Sequence, residues 1–172
     1  MWELLGNNGR NLMTEYEAKS HYQDKAVAER YNSQYEAPLS CGNFRAKFVG
    51  AGEERAFRRM LAPLPRTARV LDVAAGTGRY TQLLLEAGFE VMSSDVSPQM
   101  LEFARSRGRA FPKYLGAKEA DAAALPFEDR EFDGVTCIRL YQRVPAEVRQ
   151  RMIREVRRVT KSWAILFFGV TT

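Results

Sequence analysis

The 172-residue sequence predicts an α/β fold: a doubly wound parallel sheet preceded by helices. Three observations predict it. From Arg69 onward, short apolar runs alternate with stretches of helical periodicity. The runs lack a strict apolar/polar alternation, as expected of strands covered on both faces. The first run, Val70–Leu71, leads through Asp72 into the glycine-rich turn Ala74-Ala75-Gly76-Thr77-Gly78 and then a helical pattern from Tyr80. That is a strand, a tight loop and a helix start, the first half of a βαβ unit.

The preface comes first. Val27, Tyr31 and Tyr35 recur every four residues, one helical face that ends at Pro38. A second helix is predicted from about Gly52 to Leu61, with Ala56, Phe57, Met60 and Leu61 apolar, stopped by Pro63 and Pro65. Residues 1–62 are therefore read as a helical preface and 63–172 as the core of a single domain. In the core, strand one is predicted near Arg69–Val73. A helix follows over Tyr80–Ala87, closed by Gly88. Strand two is Glu90–Ser94, ending at Asp95. Ser97-Pro98 then supplies an N-cap and a first helical residue for a helix that runs to Gly108. Strand three is placed at Lys113–Lys118, strand four at Phe132–Ile138 and strand five at Trp163–Gly169. Between the last two lies a basic helix, Ala146–Thr160. Its Val148, Met152, Val156 and Val159 form an apolar stripe, with Arg151, Arg154 and Arg158 opposite as a solvated face.

Charge and composition exclude several classes. Net charge is +5, and the segment Arg143–Lys161 alone carries seven basic and two acidic residues. The rest of the chain is neutral, so the basic character belongs to that one segment; the alternative to a solvated face is a contact surface for an acidic partner or nucleic acid, and no aromatic side chains interleave the arginines to support a nucleic-acid platform. One histidine, His21, and two distant cysteines, Cys41 and Cys137, exclude a His-based metal cluster and a disulfide framework, so no metal is expected. The longest apolar run, Trp163–Val170, is far short of the ~20 residues a membrane span needs. The opening MWELLGNNGRNL lacks the pattern of a secretory signal. A cytoplasmic protein without membrane attachment is expected.

Ligands of open α/β sheets bind at the C-terminal strand ends. Asp72, Asp95 and Asp121 all lie at or near such ends. Asp95 follows Gly76 by 19 residues, a spacing suited to a carboxylate that accepts both hydroxyls of an adenosine ribose. A dinucleotide or S-adenosylmethionine would both fit this much. The dinucleotide loop needs G-x-G-x-x-G, and Thr81 stands at the third glycine position, which disfavours a nicotinamide-dependent oxidoreductase.

Four stretches, VLDVAAGTGRYT (70–81), VMSSDVSPQMLEFAR (91–105), EADAAALPFEDREFDGVTC (119–137) and REVRRVTKSWAILFF (154–168), resemble class I S-adenosylmethionine-dependent methyltransferases in order and spacing. The resemblance is to the small-molecule group that includes the ubiquinone and menaquinone C-methyltransferases. It implies a Rossmann-like sheet of order 3-2-1-4-5, the cofactor S-adenosylmethionine with S-adenosylhomocysteine as product, and a small-molecule methyl acceptor. It implies roles as well. Ala74, Ala75, Gly76, Thr77 and Gly78 would pack against the methionine part. Asp72 would hold the loop, or the amino group through water. Asp95 would bind the ribose, Val96 and Met100 would sandwich adenine, and Asp121 with Ala122 would meet the adenine amino group. Ile138 and Arg139 would line the methyl side, and Tyr22, Tyr31 and Tyr35 would form a lid or touch substrate. No residue stands out as a catalytic base. Ala74 departs from the glycine many relatives carry there. The family continues after strand five with two further strands. Strand five is therefore expected to be an edge, open to a second copy or a partner chain, and a non-catalytic binding or dimerisation module is the alternative function.

Overall fold

The computed structural model describes residues 24–36 and 44–167. Two helices, α1 (Lys25–Glu36) and α2 (Phe44–Leu61), precede β1 (Arg69–Val73). The order is then α3 (Arg79–Glu86), β2 (Glu90–Asp95), α4 (Pro98–Gly108), β3 (Tyr114–Glu119), β4 (Phe132–Ile138), a short 3-10 turn (Tyr141–Arg143), α5 (Ala146–Val159) and β5 (Thr160–Phe167). All pairings are parallel and the strand order is β3-β2-β1-β4-β5, as expected.

The period of two along β1 and β4 sends alternate side chains to opposite faces. Leu71, Val73, Val135 and Cys137 enter an apolar cluster with Val144, Val148, Met152, Val156 and Val159, so α5 covers that face. Val70, Val91 and Ile138 face the other way, into a cluster with Phe57 and Leu61 of α2, Leu83, Leu84 and Leu85 of α3, and Phe89. Ser97 caps α4 as predicted, its hydroxyl accepting from the Met100 N–H at 3.2 Å.

Four details differ from the expectations. Helix α2 starts at Phe44 rather than Gly52; Gly52 sits exposed inside the helix, where a glycine costs little once packing elsewhere fixes the element. Met60 is exposed, unlike its neighbours Phe57 and Leu61. Strand β5 begins at Thr160, directly from α5, because Thr160 pairs with Phe132 of β4 and the polar Lys161-Ser162 sits exposed at the register shift before Trp163 pairs with Gly134. Arg158 is no part of a solvated face: its guanidinium donates to the carbonyls of Leu125 (2.8 Å) and Phe127 (2.7 Å) and pairs with Glu155 (2.8 Å) and Asp129 (2.9 Å). Glu155 in turn accepts from the Leu125 N–H at 2.8 Å, and Arg158 holds its carboxyl below the usual range. Arg158 thus ties the β3–β4 connection to α5. Arg151 and Arg154 are exposed, as expected.

Tyr22, His21 and Cys41 lie outside the described residues; Tyr31 and Tyr35 fall within α1, with side chains outside the description. Among the described residues, no helix is long and apolar enough to cross a membrane, and no group of acidic, cysteine or histidine side chains could hold a metal ion. Cys137 is buried on the α5 face, where loss of solvation pushes its thiol up to about 12.

Candidate functional site

The strand order reverses direction between β1 and β4, and a parallel sheet opens a crevice at such a point. The local backbone opens it here. Each of the two central strands is followed at once by a non-glycine residue in the left-handed region: Ala74 after β1 (φ 54°) and Arg139 after β4 (φ 65°). For L-residues that conformation costs about 1–2 kcal/mol. Strained backbone of this kind gathers where surrounding structure and a site demand it.

Beneath the crevice lies a polar row. The pairing register sets Thr136 of β4, Asp72 of β1 and Ser93 of β2 side by side. All three are buried and face the α3 side, and Thr81 of α3 sits against them. Asp72 accepts from the hydroxyls of Thr81 (2.7 Å) and Thr136 (2.8 Å), and Thr81 shares a further bond with Ser93 at 3.0 Å. Burial outweighs these donors and, with the nearby Asp95 charge, raises the Asp72 carboxyl to about 6. Thr81 occupies the position where a dinucleotide loop has its third glycine. Its hydroxyl explains why a side chain is wanted there: it ties the first turn of α3 to β1.

The glycine loop crosses above this row. The Ala75 N–H donates to the Ser94 carbonyl (2.9 Å) and the Gly76 N–H to Asp95 Oδ2 (2.8 Å), so the end of β2 holds the loop's shape. Gly76 and Gly78 both have positive φ, but for different reasons. A Cβ on Gly78 would come within 2.6 Å of the Ala104 backbone, so α4 needs that position bare. A Cβ on Gly76 would meet nothing within 4 Å. Gly76 therefore borders open space, and its left-handed φ is what calls for glycine there.

Asp95 and Asp121 come together at the neighbouring ends of β2 and β3. Asp95 Oδ1 accepts from the Ser97 N–H at 2.9 Å, and the Val96 N–H gives the same carboxylate a further backbone donor. Burial raises its carboxyl despite these bonds. The Ala120 N–H donates to the Asp95 carbonyl at 2.9 Å, which sets Asp121 beside the end of β2. Asp121 Oδ1 accepts from the Ala123 N–H at 2.9 Å in a local turn. Val96 and Ala122 are half-buried, and Met100 is buried.

On the β4 side, Ile138 lies two residues beyond Thr136 on the same face, and Arg139 follows it at the strand end. Arg139 Nε and Nη2 both donate to Glu53 Oε1 of α2, at 3.2 and 2.9 Å, and the Tyr80 hydroxyl lies 3.4 Å from Glu53 Oε2. At the other flank, Arg107 of α4 donates to the Thr77 carbonyl (2.9 Å) and to Asn32 of α1 (2.8 Å). Both preface helices thus reach the glycine loop's surroundings. The sequence reading missed Glu53, Asn32, Arg107, Thr81 and Thr136. The polar exceptions at Thr81 and Thr136 inside apolar stretches were the available signal; for Glu53 and Asn32 there was none.

Known proteins agree with this geometry. Residues 70–162 match a family model described as a methyltransferase domain. A demethylmenaquinone methyltransferase of Deinococcus radiodurans is 41% identical over 98 residues, covering 53% of this chain and 40% of that protein. The PH0226 protein of Pyrococcus horikoshii superposes with a TM-score of 0.63 at 28% identity, over 78% of this chain and 65% of the other. The [4+2]-cyclase SpnF, at 26% identity and a TM-score of 0.56, covers 63% of this chain and 41% of its own. The chain spans about two fifths of the length of the Deinococcus relative. With more than half its length matched, and with the sheet order and glycine loop described above, the chain belongs to the methyltransferase-domain family of class I, S-adenosylmethionine-dependent architecture.

Proposed function

We propose that the chain binds S-adenosylmethionine in the β1/β4 crevice and places its methyl group before a small-molecule acceptor. The observation that carries this reading is the pairing of Asp95 with Gly76. One carboxylate oxygen of Asp95 shapes the loop from the end of β2, and the loop's central glycine faces open space. The fit extends along the crevice. Asp95 takes the ribose; Val96, Met100, Asp121 and Ala122 surround adenine; Ala74–Gly78 cradle the amino-acid part, with Asp72 below. Ile138 and Arg139 border the methyl.

When bound, the cofactor supplies a sulfonium methyl, already a good electrophile. Transfer would move the methyl from sulfur to the acceptor, with S-adenosylhomocysteine as product and the acceptor's proton lost to solvent, while Asp95, the Ala74–Gly78 loop, Ile138 and Arg139 would hold the donor. The chain's residues need only hold the partners in line. Such positioning can contribute roughly 7–11 kcal/mol. The demethylmenaquinone methyltransferase relative supports a small-molecule acceptor. The cyclase among the structural relatives makes methyl transfer itself the point to measure.

Calorimetric titration of the folded chain with S-adenosylmethionine and S-adenosylhomocysteine, followed by methyl transfer from labelled cofactor to a reduced naphthoquinone, tests the proposal. Binding of both ligands is expected; a folded protein that binds neither sinks it.

A second reading has its own observation. Among the described residues β5 is the sheet edge, and its half-buried Trp163, Ile165, Leu166 and Phe167 present an apolar strand. Such an edge can pair with another chain. A binding or dimerisation module would form a concentration-dependent dimer in light scattering and show no methyl transfer. A strict monomer with turnover excludes it.

A further inference from the structure

The preface reaches the methyl side of the crevice through one carboxylate. Glu53 of α2 is 10% exposed, and it joins three elements: its own helix, Arg139 at the end of β4 and Tyr80 in the first turn of α3. Its neighbour Glu54 does something else. Glu54 pairs with Arg58 (3.1 Å) and Arg79 (3.6 Å), and Arg58 continues to Glu86 (2.7 Å), a ladder that runs down the seam between α2 and α3. Phe57 and Leu61 are buried in the core, and Phe57 packs edge-on against Tyr80 at 5.0 Å. Helix α2 is therefore docked without Glu53.

Arg139 is the group that needs holding. It has a long side chain, and its backbone is in the left-handed region immediately after β4. Its N–H donates to the Phe167 carbonyl at 2.7 Å, so its backbone also ends the β4–β5 ladder. Glu53 takes two of its guanidinium N–H groups on one oxygen. The pair is neutral as a whole, so it offers the crevice a fixed shape rather than a net charge.

We propose that Glu53 is a positioning residue: through Arg139 and Tyr80 it fixes the spacing between the end of β4 and the first turn of α3, and so how tightly the methyl-donating cofactor is held. The inference rests on the cofactor reading above. It predicts a geometric effect, equal for a cationic and a neutral form of the ligand.

Affinities of wild type, E53A, E53Q, E53D and E54A for S-adenosylmethionine and for S-adenosylhomocysteine, measured by calorimetry beside thermal melts, decide the matter. E53A should weaken both ligands about tenfold or more and to the same extent, the size expected for a lost charged hydrogen-bond partner. E53Q, which keeps the accepting oxygen, should stay within about threefold of wild type, as should E54A. Wild-type affinity in E53A overturns the proposal. So does an E53Q as weak as E53A with the sulfonium ligand lost selectively, because that is attraction of charge rather than positioning. If E53A does not fold, E53D decides: it keeps the charge but is one methylene short, so an intermediate loss is expected and unchanged binding contradicts the inference. A wild-type protein that binds neither ligand removes the cofactor reading and this inference together. Wild-type binding with indifferent Glu53 variants removes only the inference.

Discussion

The two flanks of the crevice are built on different principles. On the β1–β2 flank the groups are close in sequence: Gly76 and Asp95 are 19 residues apart, Asp95 and Ser97 two, and most of the bonds that fix them end on backbone N–H groups. On the β4 flank the groups come from far apart: Thr136 is 64 residues from Asp72, and Arg139 is 86 from Glu53. These distant bonds run from side chain to side chain. The first flank is a cradle that the loop and strand end make almost by themselves. The second needs the β1–β4 pairing for Thr136 and, for Arg139, α2 docked on the sheet. Variants on the first should therefore cut binding directly, while those on the second should alter how the crevice is held.

The largest effect is expected at Asp95. Its replacement by Ala removes the acceptor for two hydroxyls and the partner of the Gly76 and Ser97 N–H groups. Charge-assisted bonds are worth about 1.5–3 kcal/mol each, so affinity for S-adenosylhomocysteine should fall by about 100-fold or more in calorimetry. The melting temperature should fall with it.

The two glycines divide packing from binding. Gly78→Ala adds a clash with Ala104 to an unfavourable φ, and should cost about 2–5 kcal/mol in chemical denaturation. Gly76→Ala meets no atom, and should cost only about 1–2 kcal/mol of conformational strain. Its larger effect should be on ligand affinity, because the added methyl enters the cradle. Equal stability losses at the two positions would contradict the view that Gly76 borders open space.

The raised Asp72 carboxyl gives the site a pH dependence. A carboxyl near 6 in the folded chain, against about 4 when unfolded, favours the protonated folded form. Its stabilising contribution is complete below about pH 4, declines as pH rises through 6 and is level above, the slope following from the extra proton held by the folded state. Asp95 is shifted in the same direction. A cationic cofactor favours the ionised carboxylates, so binding near pH 5.5 should expel protons and tighten as pH rises, by at most about tenfold per unit for one proton. Titrations in buffers of differing ionisation enthalpy measure that release. Asp72→Asn should reduce it.

The smallest effect is at Ala74. Glycine there relieves a left-handed alanine and should stabilise the fold by up to about 1 kcal/mol in urea melts, the entropy of the more flexible unfolded chain offsetting part of the gain.

The sequence made most of the first flank and the sheet legible. Short apolar runs mark β1, β2, β4 and the apolar part of β5, β3 is the least clear, and Ser97-Pro98 marks the start of α4. The strand order needed the family resemblance. What stayed hidden follows from distance and exposure. Nothing in the spacing of Glu53 or Asn32 shows that the preface helices will bring Glu53 to Arg139 and Asn32 to Arg107. The polar start of β5 carried no burial signal, because an edge position does not require one. Arg158 read as a solvated charge because the carbonyls it holds, those of Leu125 and Phe127, belong to a loop without periodicity. Thr81 was read as a missing glycine, and the structure gives its positive role, the bond to Asp72.

The central claim is that the β1/β4 crevice is a cofactor cradle in which Asp95 both shapes the glycine loop and reads the ribose. A crystal structure of the chain with S-adenosylhomocysteine tests it most directly. Both ribose hydroxyls are expected within hydrogen-bond distance of the Asp95 carboxylate, with the homocysteine portion lying over Gly76. A ligand bound elsewhere, or in the crevice with its ribose away from Asp95, would contradict it.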